Sequence, residues 1–244
     1  MDTHLLWLAA FVLVAYVTQT MTGFGSLIIV ITLGSHLYPV EFLLPVIVPV
    51  DICATAYIAA RYSNRIDRDL LFRRILPFMG LGLAAGIFVF QFVHGLLLKR
   101  CLGLLVVFLC SRELYRMLRG RNDLQLLAPW KYTLTIVSAG VVQGIFASGG
   151  PLTVYAVSRF KLPKATFRST LSALWFLTNT VLAASYLATG RLTATTVRFT
   201  VLLVPFVLIG MVAGERLHHH VNEHHFRIAV FLILSIAGLS ILVG

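Results

Sequence analysis

Charged residues and cysteines are both scarce in this chain. Asp, Glu, Lys and Arg make up 12% of its 244 residues, about half the share found in an average soluble domain. Cys53, Cys101 and Cys110 are scattered, form no CxxC pair and lie in or beside apolar stretches. The cysteines therefore predict neither a disulfide framework nor a zinc site, and they do not indicate a redox compartment.

Acidic residues are scarcer than basic ones, with 9 against 20 and a net charge of +11. The basic residues fall in loops between apolar runs, and no nucleic-acid-binding motif accompanies them. An excess of Lys and Arg in cytoplasmic loops is typical of membrane proteins. We therefore expect the lipid bilayer as a partner and no nucleic acid.

Long apolar runs recur about every 30 residues, and 59% of the chain is hydrophobic. This pattern predicts an all-α integral membrane protein. The segment beginning at Met1 lacks the positive charge and cleavage site of a secretory signal, so we expect it to be retained. The chain has no catalytic triad, metal-ligand set or nucleotide motif, so a membrane enzyme is the least favoured class and no cofactor or metal is expected.

Several positions in the first half of the chain match positions in the second half, at offsets of 124 to 128 residues. The matched pairs are Gln19/Gln143, Gly25/Gly149, Pro39/Pro163, Ala59/Ala183, Tyr62/Tyr186, Gly82/Gly210, Gly86/Gly214 and Arg100/Arg227. Because the matches keep their order and the offset changes little, they indicate a duplication with loop insertions.

The duplication predicts a membrane repeat at 1–118, a cytoplasmic linker at 119–131 and a second membrane repeat at 132–244. Each repeat holds four apolar segments. They are 5–36, 42–60, 75–93 and 101–118 in the first repeat, and 132–158, 169–188, 197–214 and 226–243 in the second.

The first segment of each repeat has a glycine-rich interior, at 22–25 and at 148–151. Such a segment is either one full span or a hairpin of two short helices that returns to the same side. The hairpin interpretation divides Lys and Arg 16 to 4 between the two sides, whereas full spans divide them 12 to 8. The positive-inside rule favours hairpins. We therefore predict two inverted repeats, each a broken helical hairpin plus three transmembrane helices, with both termini outside.

The hairpin tips are predicted to bind the substrate. Backbone N–H and C=O groups at such a break have no intrahelical partner and must be satisfied by protein, water or a ligand. A helix N-terminus there would attract an anion. The predicted tip residues are Gln19, Gly23, Gly25, Ser26, Gln143, Ser148, Gly149 and Gly150. The alternative is that the glycines only permit close helix packing, which is our interpretation for the Gly82/Gly86 and Gly210/Gly214 pairs.

Asp51 is an ionisable residue in the middle of an apolar segment that also contains Pro45 and Pro49. A carboxylate at that depth costs about 2.5–3.5 kcal/mol on insertion scales, so it is expected to face the protein interior. Our hypothesis is that Asp51 carries a coupling proton. The alternative is a structural hydrogen bond to a neighbouring helix.

The position matching Asp51 in the second repeat is Trp175, and the helix around it offers polar groups at Ser169 and Asn179. These groups, facing the hairpin tips, would complete a central site. Arg168 would hold an anion at the cytoplasmic mouth, or it is an ordinary interfacial arginine. The histidine-rich tract 218–225 fits no standard metal spacing and is interpreted as a solvated loop.

Several short motifs are distributed over nearly the whole chain. They are Gln143-Gly-Ile-Phe-Ala-Ser-Gly-Gly-Pro151, Lys164-Ala-Thr-Phe-Arg-Ser-Thr170, Asn179, and Thr22-Gly-Phe-Gly25 with Pro39. In their order and spacing these motifs resemble the TauE/SafE sulfite exporter family. The resemblance assigns the glycines at 23, 25, 149 and 150 to paired motifs, and Ser169, Thr170 and Asn179 to a polar helix. This chain differs in having Ala147-Ser148, where glycine is often found, and Asp51, where a smaller polar residue is expected.

The resemblance implies a multi-pass secondary transporter of the bacterial inner membrane that exports sulfite, a sulfonate such as sulfoacetate, or a related small organic anion. Export would be coupled to protons or driven by the inside-negative membrane potential. The alternative is a cation-coupled importer or a channel-like conduit on the same scaffold. The sequence is compatible with a homo-oligomer and leaves the anion open.

Overall fold

The computed structural model describes residues 3–22, 24–118, 126–217 and 223–243. All regular secondary structure in these residues is helical. The α-helices are α1 Thr3–Thr22, α2 Ser26–Gly34, α3 Val40–Arg61, α4 Leu76–Phe92, α5 Gly95–Leu118, α6 Pro129–Phe146, α7 Gly150–Val157, α8 Lys164–Ala188, α9 Ala194–Leu217 and α10 Glu223–Val243. A π-helical segment, Leu70–Ile75, leads directly into α4.

Five stretches of the described residues are helical, long and apolar enough to cross a membrane. They are Thr3–Thr20, Val40–Arg61, Leu70–Phe92, Lys164–Ala188 and Ala194–Arg216. The predicted crossings at α5 and α10 are not confirmed by this criterion. α5 carries several charges, among them Lys99, Arg100 and Arg112, and the apolar part of α10 is shorter, at Ile228–Val243.

The first segment of each predicted repeat is broken at its glycine-rich interior. α1 packs against α2, and α6 packs against α7. Gly25 at the first break and Ala147 at the second have positive φ angles of 103° and 51°. The two helices on either side of the first break, which we call its arms, differ in length, because α1 has 20 residues and α2 has 9. The prediction of two short helices is therefore wrong for the first helix of each segment, because α1 has 20 residues and α6 has 18. α1 also contains an 18-residue stretch apolar enough to cross a membrane alone.

The helices divide into two compact units, and each unit combines parts of both predicted repeats. The first unit comprises the described residues of Met1–Leu44, Val93–Asn122 and Val201–Gly244. The second comprises those of Pro45–Phe92 and Asp123–Thr200. The first unit therefore holds α1, α2, α5, α10 and most of α9, whereas the second holds α4, α6, α7, α8 and most of α3.

In the second unit, glycines bring α4 against α6 at very short range. A Cβ atom at Gly82 would lie 2.1 Å from the carbonyl oxygen of Val137, and one at Gly86 would lie 2.3 Å from that of Val141. Gly140 and Gly144 face them from α6. Only glycine fits such a contact between backbones, so the packing role predicted for the Gly82/Gly86 pair is confirmed.

In the first unit, the glycine pair of α9 approaches α1. A Cβ atom at Gly210 would lie 2.8 Å from the carbonyl oxygen of Leu13, and one at Gly214 would lie 2.8 Å from the carbonyl oxygen of Val17. This also confirms the packing role predicted for the pair. Leu13 and Val17 lie 124 positions before Val137 and Val141, the offset found in the sequence. The contact of α9 with α1 and the contact of α4 with α6 are therefore made by matching positions of the two repeats.

Candidate hydrogen-bonded site

A chain of hydrogen bonds joins the break between α6 and α7 to α8 and α3. The backbone N–H of Gly149 donates to Gln143 Oε1 at 2.9 Å. Gln143 Nε2 donates to Asn179 Oδ1 at 2.7 Å, and Asn179 Nδ2 donates to Asp51 Oδ2 at 2.9 Å. The Gln143, Asn179 and Asp51 side chains are at most 1% exposed. The structure therefore places four of the predicted site residues in one buried network within the second unit.

The direction of this network is fixed by its first member. The Gly149 N–H can only donate, so the Gln143 oxygen must face it and the Gln143 nitrogen must face Asn179. The same reasoning turns the Asn179 oxygen towards Gln143 and its nitrogen towards Asp51. Each donor therefore points along the network to the Asp51 carboxylate, and each amide nitrogen keeps a second N–H.

The position of Gly149 depends on the absence of a side chain. A Cβ atom there would lie 2.4 Å from the carbonyl oxygen of Ala139 on α6, so α7 begins pressed against α6. The chain reverses over Ala147, which has a left-handed conformation. The first turn of α7 then closes on Gly149, because the Thr153 N–H donates to the Gly149 carbonyl at 3.1 Å and the Thr153 hydroxyl donates to the same oxygen at 3.0 Å.

Asp51 follows two prolines in α3, and the helix continues through both of them. Proline removes a backbone N–H and disturbs the carbonyls of the preceding turn. The Thr200 hydroxyl of α9 lies 2.9 Å from the Val46 carbonyl oxygen and 3.0 Å from the Thr196 carbonyl oxygen of its own helix, and it shares its one proton between them. A neighbouring helix therefore helps to satisfy an oxygen in this disturbed turn. This contact helps to hold the part of α3 that carries Asp51.

Two of the predicted hydroxyl donors are engaged with nearby backbone. Ser148 donates to the Phe146 carbonyl at 2.8 Å, and Ser169 donates to the Ala165 carbonyl at 2.7 Å. Both residues are buried. In this conformation each hydroxyl offers a ligand only its acceptor lone pairs. Gly150, the first residue of α7, is partly buried and adjoins Gly149.

Thr170 on α8 hydrogen-bonds to the segment that connects α3 and α4. Its hydroxyl oxygen accepts a hydrogen bond from the Asp67 backbone N–H at 2.9 Å, and the residue is fully buried. Asp67 in turn accepts from the N–H of Leu70 at 3.0 Å, where the π-helical segment begins. This geometry gives Thr170 a structural role in addition to the binding role that was predicted.

The predicted residues of the first tip lie in the first unit. Gly25 precedes α2 in an open environment, and Ser26 is buried as the first residue of that helix. Gln19 is buried too, but its Oε1 has no hydrogen-bond partner, unlike the matching atom of Gln143. Gly23 lies outside the described residues.

Two polar side chains on α8 were absent from the predicted site. Trp175 was identified only as the counterpart of Asp51, and Tyr186 only as a repeat match. The Nε1 of Trp175 and the hydroxyl of Tyr186 are buried without a hydrogen-bond partner, as is the Nε of the predicted Arg168. The signal in the sequence is their helical spacing, which places all three on one face of α8.

No group of three potential metal ligands occurs among the residues for which side chains are described. This search for metal ligands does not cover the side chains of the histidine-rich tract. Its residues 218–222 lie outside the described residues, and the rest enters the first turn of α10. The loop interpretation is therefore wrong for residues 223–225, which are helical, and it stays a prediction for residues 218–222.

Long apolar helices interrupted by glycine-rich breaks, with buried polar groups beside the breaks, are typical of membrane transporters. The sulfite exporter TauE/SafE family matches residues 8–241. The chain belongs to this family, and the resemblance found in its motifs is confirmed. It is a membrane transporter by that membership.

A relative from Comamonas testosteroni, described as a probable inner membrane transporter protein, TsaS, is 26% identical over 172 residues. The matched region covers 68% of this chain and 69% of the relative. No solved structure matches the chain.

Proposed function

We propose that this protein exports a small anion across the bacterial inner membrane. The substrate class is sulfite, a sulfonate such as sulfoacetate, or a related organic acid. Membership of the TauE/SafE family supports export of an oxyanion, and the name of the relative TsaS supports the inner membrane. An inside-negative potential favours outward movement of an anion, so export needs no further energy source.

The observation that carries the proposal is the buried network ending on Asp51. It connects a titratable carboxylate to the backbone of a helix break, and the N-terminal end of a helix such as α7 attracts an anion through its dipole. An anion near the break and a charged Asp51 would repel each other, so a proton on Asp51 would favour anion binding. Asp51 is therefore proposed as the proton-coupling residue.

The proposed substrate site in the second unit comprises the start of α7 and the buried face of α8. Gly149, Gly150 and Ser148 form its backbone part, and Gln143 positions Gly149. Asn179 contributes its second N–H. The predicted contributors from this part of the chain also include Ser169, Thr170 and Arg168. The first tip, with Gln19, Gly23, Gly25 and Ser26, stays a predicted contributor.

We further propose that the two repeats are inverted relative to each other and that both termini lie outside. The equivalent glycine contacts, α4 on α6 and α9 on α1, support the duplication. The division of Lys and Arg 16 to 4 supports the inversion. Inverted repeats with broken helices are a common plan of secondary transporters.

The coupling role of Asp51 is tested by Asp51→Asn in proteoliposomes that contain a trapped pH dye. Asparagine keeps an oxygen that can accept from Asn179, so a purely structural hydrogen bond would survive the substitution. We expect anion flux in the wild-type protein to be accompanied by a proton signal, and the substitution to abolish that signal. The control is Asp69→Asn, because Asp69 lies on the surface in an ion pair with Arg73.

Flux with an intact proton signal in Asp51→Asn would show that Asp51 is structural only. Flux without any proton signal in the wild-type protein would leave an exporter driven by the membrane potential. Flux that requires an inward sodium gradient would instead favour the cation-coupled importer.

A further inference from the structure

The buried face of α8 carries polar atoms that form no hydrogen bond. They are the Nε of Arg168, the Nε1 of Trp175 and the hydroxyl of Tyr186. The Trp175 and Tyr186 side chains are 6% and 1% exposed. Buried polar groups without a partner are unfavourable and uncommon in folded proteins. Three of them on one helix therefore point to a ligand that satisfies them.

These residues lie on one line along the helix. With 3.6 residues per turn, Trp175, Asn179 and Tyr186 all fall within about 20° of the direction of Arg168. The helix rises about 27 Å from Arg168 to Tyr186, close to the thickness of a hydrocarbon core, which is about 30 Å. We call Arg168, Trp175, Asn179 and Tyr186 the α8 polar line.

The hydrogen-bonding capacity left on the α8 polar line is mainly that of donors. An indole N–H and a guanidinium can only donate. Asn179 donates one N–H to Asp51 and keeps a second, while its oxygen already accepts from Gln143. The matching ligand group is one that only accepts, such as the oxygens of a sulfonate or a carboxylate. A cation would find as acceptors on this line only the Tyr186 hydroxyl and the second lone pair of Asn179 Oδ1.

We infer that Trp175 is a substrate-recognition residue, whose indole N–H binds an oxygen of the substrate's anionic group together with the free N–H of Asn179. The two residues are four apart and therefore neighbours on successive turns of α8. The other members of the α8 polar line extend the same chemistry towards both ends of the helix. The inference rests on the proposed function for the identity of the ligand as a transported anion.

Binding is measured on a variant in which Trp175 is the only tryptophan. The other two, Trp7 and Trp130, are 56% and 64% exposed and are replaced by phenylalanine. Sulfoacetate is titrated against the purified protein in detergent, and the emission of Trp175 is recorded. Dimethyl sulfone, which offers sulfonyl oxygens without a charge, serves as the ligand control. A matched protein with Trp175→Phe, and with Trp7 and Trp130 kept, controls for effects elsewhere.

We expect a saturable change in Trp175 emission with sulfoacetate, and none with dimethyl sulfone at the same concentrations. Trp175→Phe keeps an aromatic ring and removes the N–H, so the KM of sulfoacetate flux should rise about tenfold or more. The smaller ring leaves a cavity at this buried position, so the Tm of the variant is expected to fall as well and is recorded beside the KM. An unchanged emission, or a wild-type KM in Trp175→Phe, would overturn the inference. If that variant does not fold, the emission titration still decides.

The two proposals fail in different ways. Emission that titrates with sulfoacetate while no anion crosses proteoliposomes would retain the binding site and reject the export function. Anion flux from a single-tryptophan protein whose emission does not respond would retain export and reject the role of Trp175.

Discussion

Replacing Gly86 by alanine would force apart the helices that form the tightest contact in the second unit. The new Cβ atom would lie 2.3 Å from the carbonyl oxygen of Val141 and 2.8 Å from the Cα of Gly144. Both are backbone atoms, so neither can rotate away. Normal contact distances require α4 and α6 to separate locally by roughly 1 Å.

Two opposing effects determine how much Gly86→Ala changes the free energy of unfolding. Overpacking of a well-packed contact typically costs about 1–3 kcal/mol, whereas exchanging glycine for alanine within a helix gains about 1 kcal/mol. Separation of the helices also loosens the neighbouring contact of Gly82 with Val137. The net loss in the free energy of unfolding is therefore expected to be about 1–2 kcal/mol. For a chain of this length that corresponds to a Tm lower by roughly 2–8 °C.

Thermal unfolding in detergent measures this loss, and α4 supplies its own control. Gly80 lies on the same helix, and a Cβ atom added there would have no neighbour within 4 Å. Gly80→Ala therefore receives the helix-propensity gain without the clash. We expect Gly80→Ala to unfold at the wild-type temperature or slightly above it. If Gly86→Ala were as stable as Gly80→Ala, the close approach of α4 and α6 would be refuted.

Three further substitutions test the helix breaks and the contact between α9 and α3. Gly149→Ala should lower the Tm, because the new Cβ atom would lie 2.4 Å from a backbone oxygen. Gly25→Ala should lower the Tm because alanine is strained at φ 103°. An unchanged Tm would contradict the close contact at Gly149 or the left-handed conformation at Gly25, respectively. Thr200→Val should cost about 0.5–1.5 kcal/mol by removing the hydrogen bond to Val46. Thr180→Val should cost nothing measurable, because Thr180 is exposed and bonds only within its own helix; equal effects of the two would refute the role of the interhelical bond.

The packing glycines could be predicted from the sequence because their role depends on a local property. Two glycines four residues apart open one face of a helix, whatever helix lies opposite. The spacing of Gly82 and Gly86, and of Gly210 and Gly214, was therefore sufficient to predict contact. It did not identify the partner helix, because that contact depends on residues far away in the chain.

The residues of the buried network could be identified from the sequence, but the hydrogen bonds between them could not. Gln143, Asn179, Gly149 and Asp51 were all candidate site residues, because buried polar groups in apolar segments require partners. Gln143 binding to the substrate stays a prediction, and the sequence did not show that its oxygen accepts from Gly149 and its nitrogen donates to Asn179. Such pairings depend on the distance between helices, which no sequence pattern contains.

Helix lengths at the breaks show a similar limit. The glycine-rich interiors located both breaks correctly, but for different reasons. Gly25 has the unusual backbone angle at the first break, whereas at the second Ala147 has it and Gly149 is required by its close contact with Ala139. The lengths of the arms were misjudged, because apolar residues continue on both sides of each break. α1 extends over 20 residues for that reason.

The most direct test of the proposed export is counterflow of labelled sulfoacetate into proteoliposomes preloaded with unlabelled sulfoacetate. Counterflow requires a carrier that binds the anion alternately from both sides, and it distinguishes such a carrier from a channel or an enzyme. We predict transient, saturable accumulation of label that depends on the protein, with sulfite competing. Folded protein that accumulates no label, and whose flux of sulfite and of a 2-oxo acid equals that of protein-free vesicles, would contradict anion export.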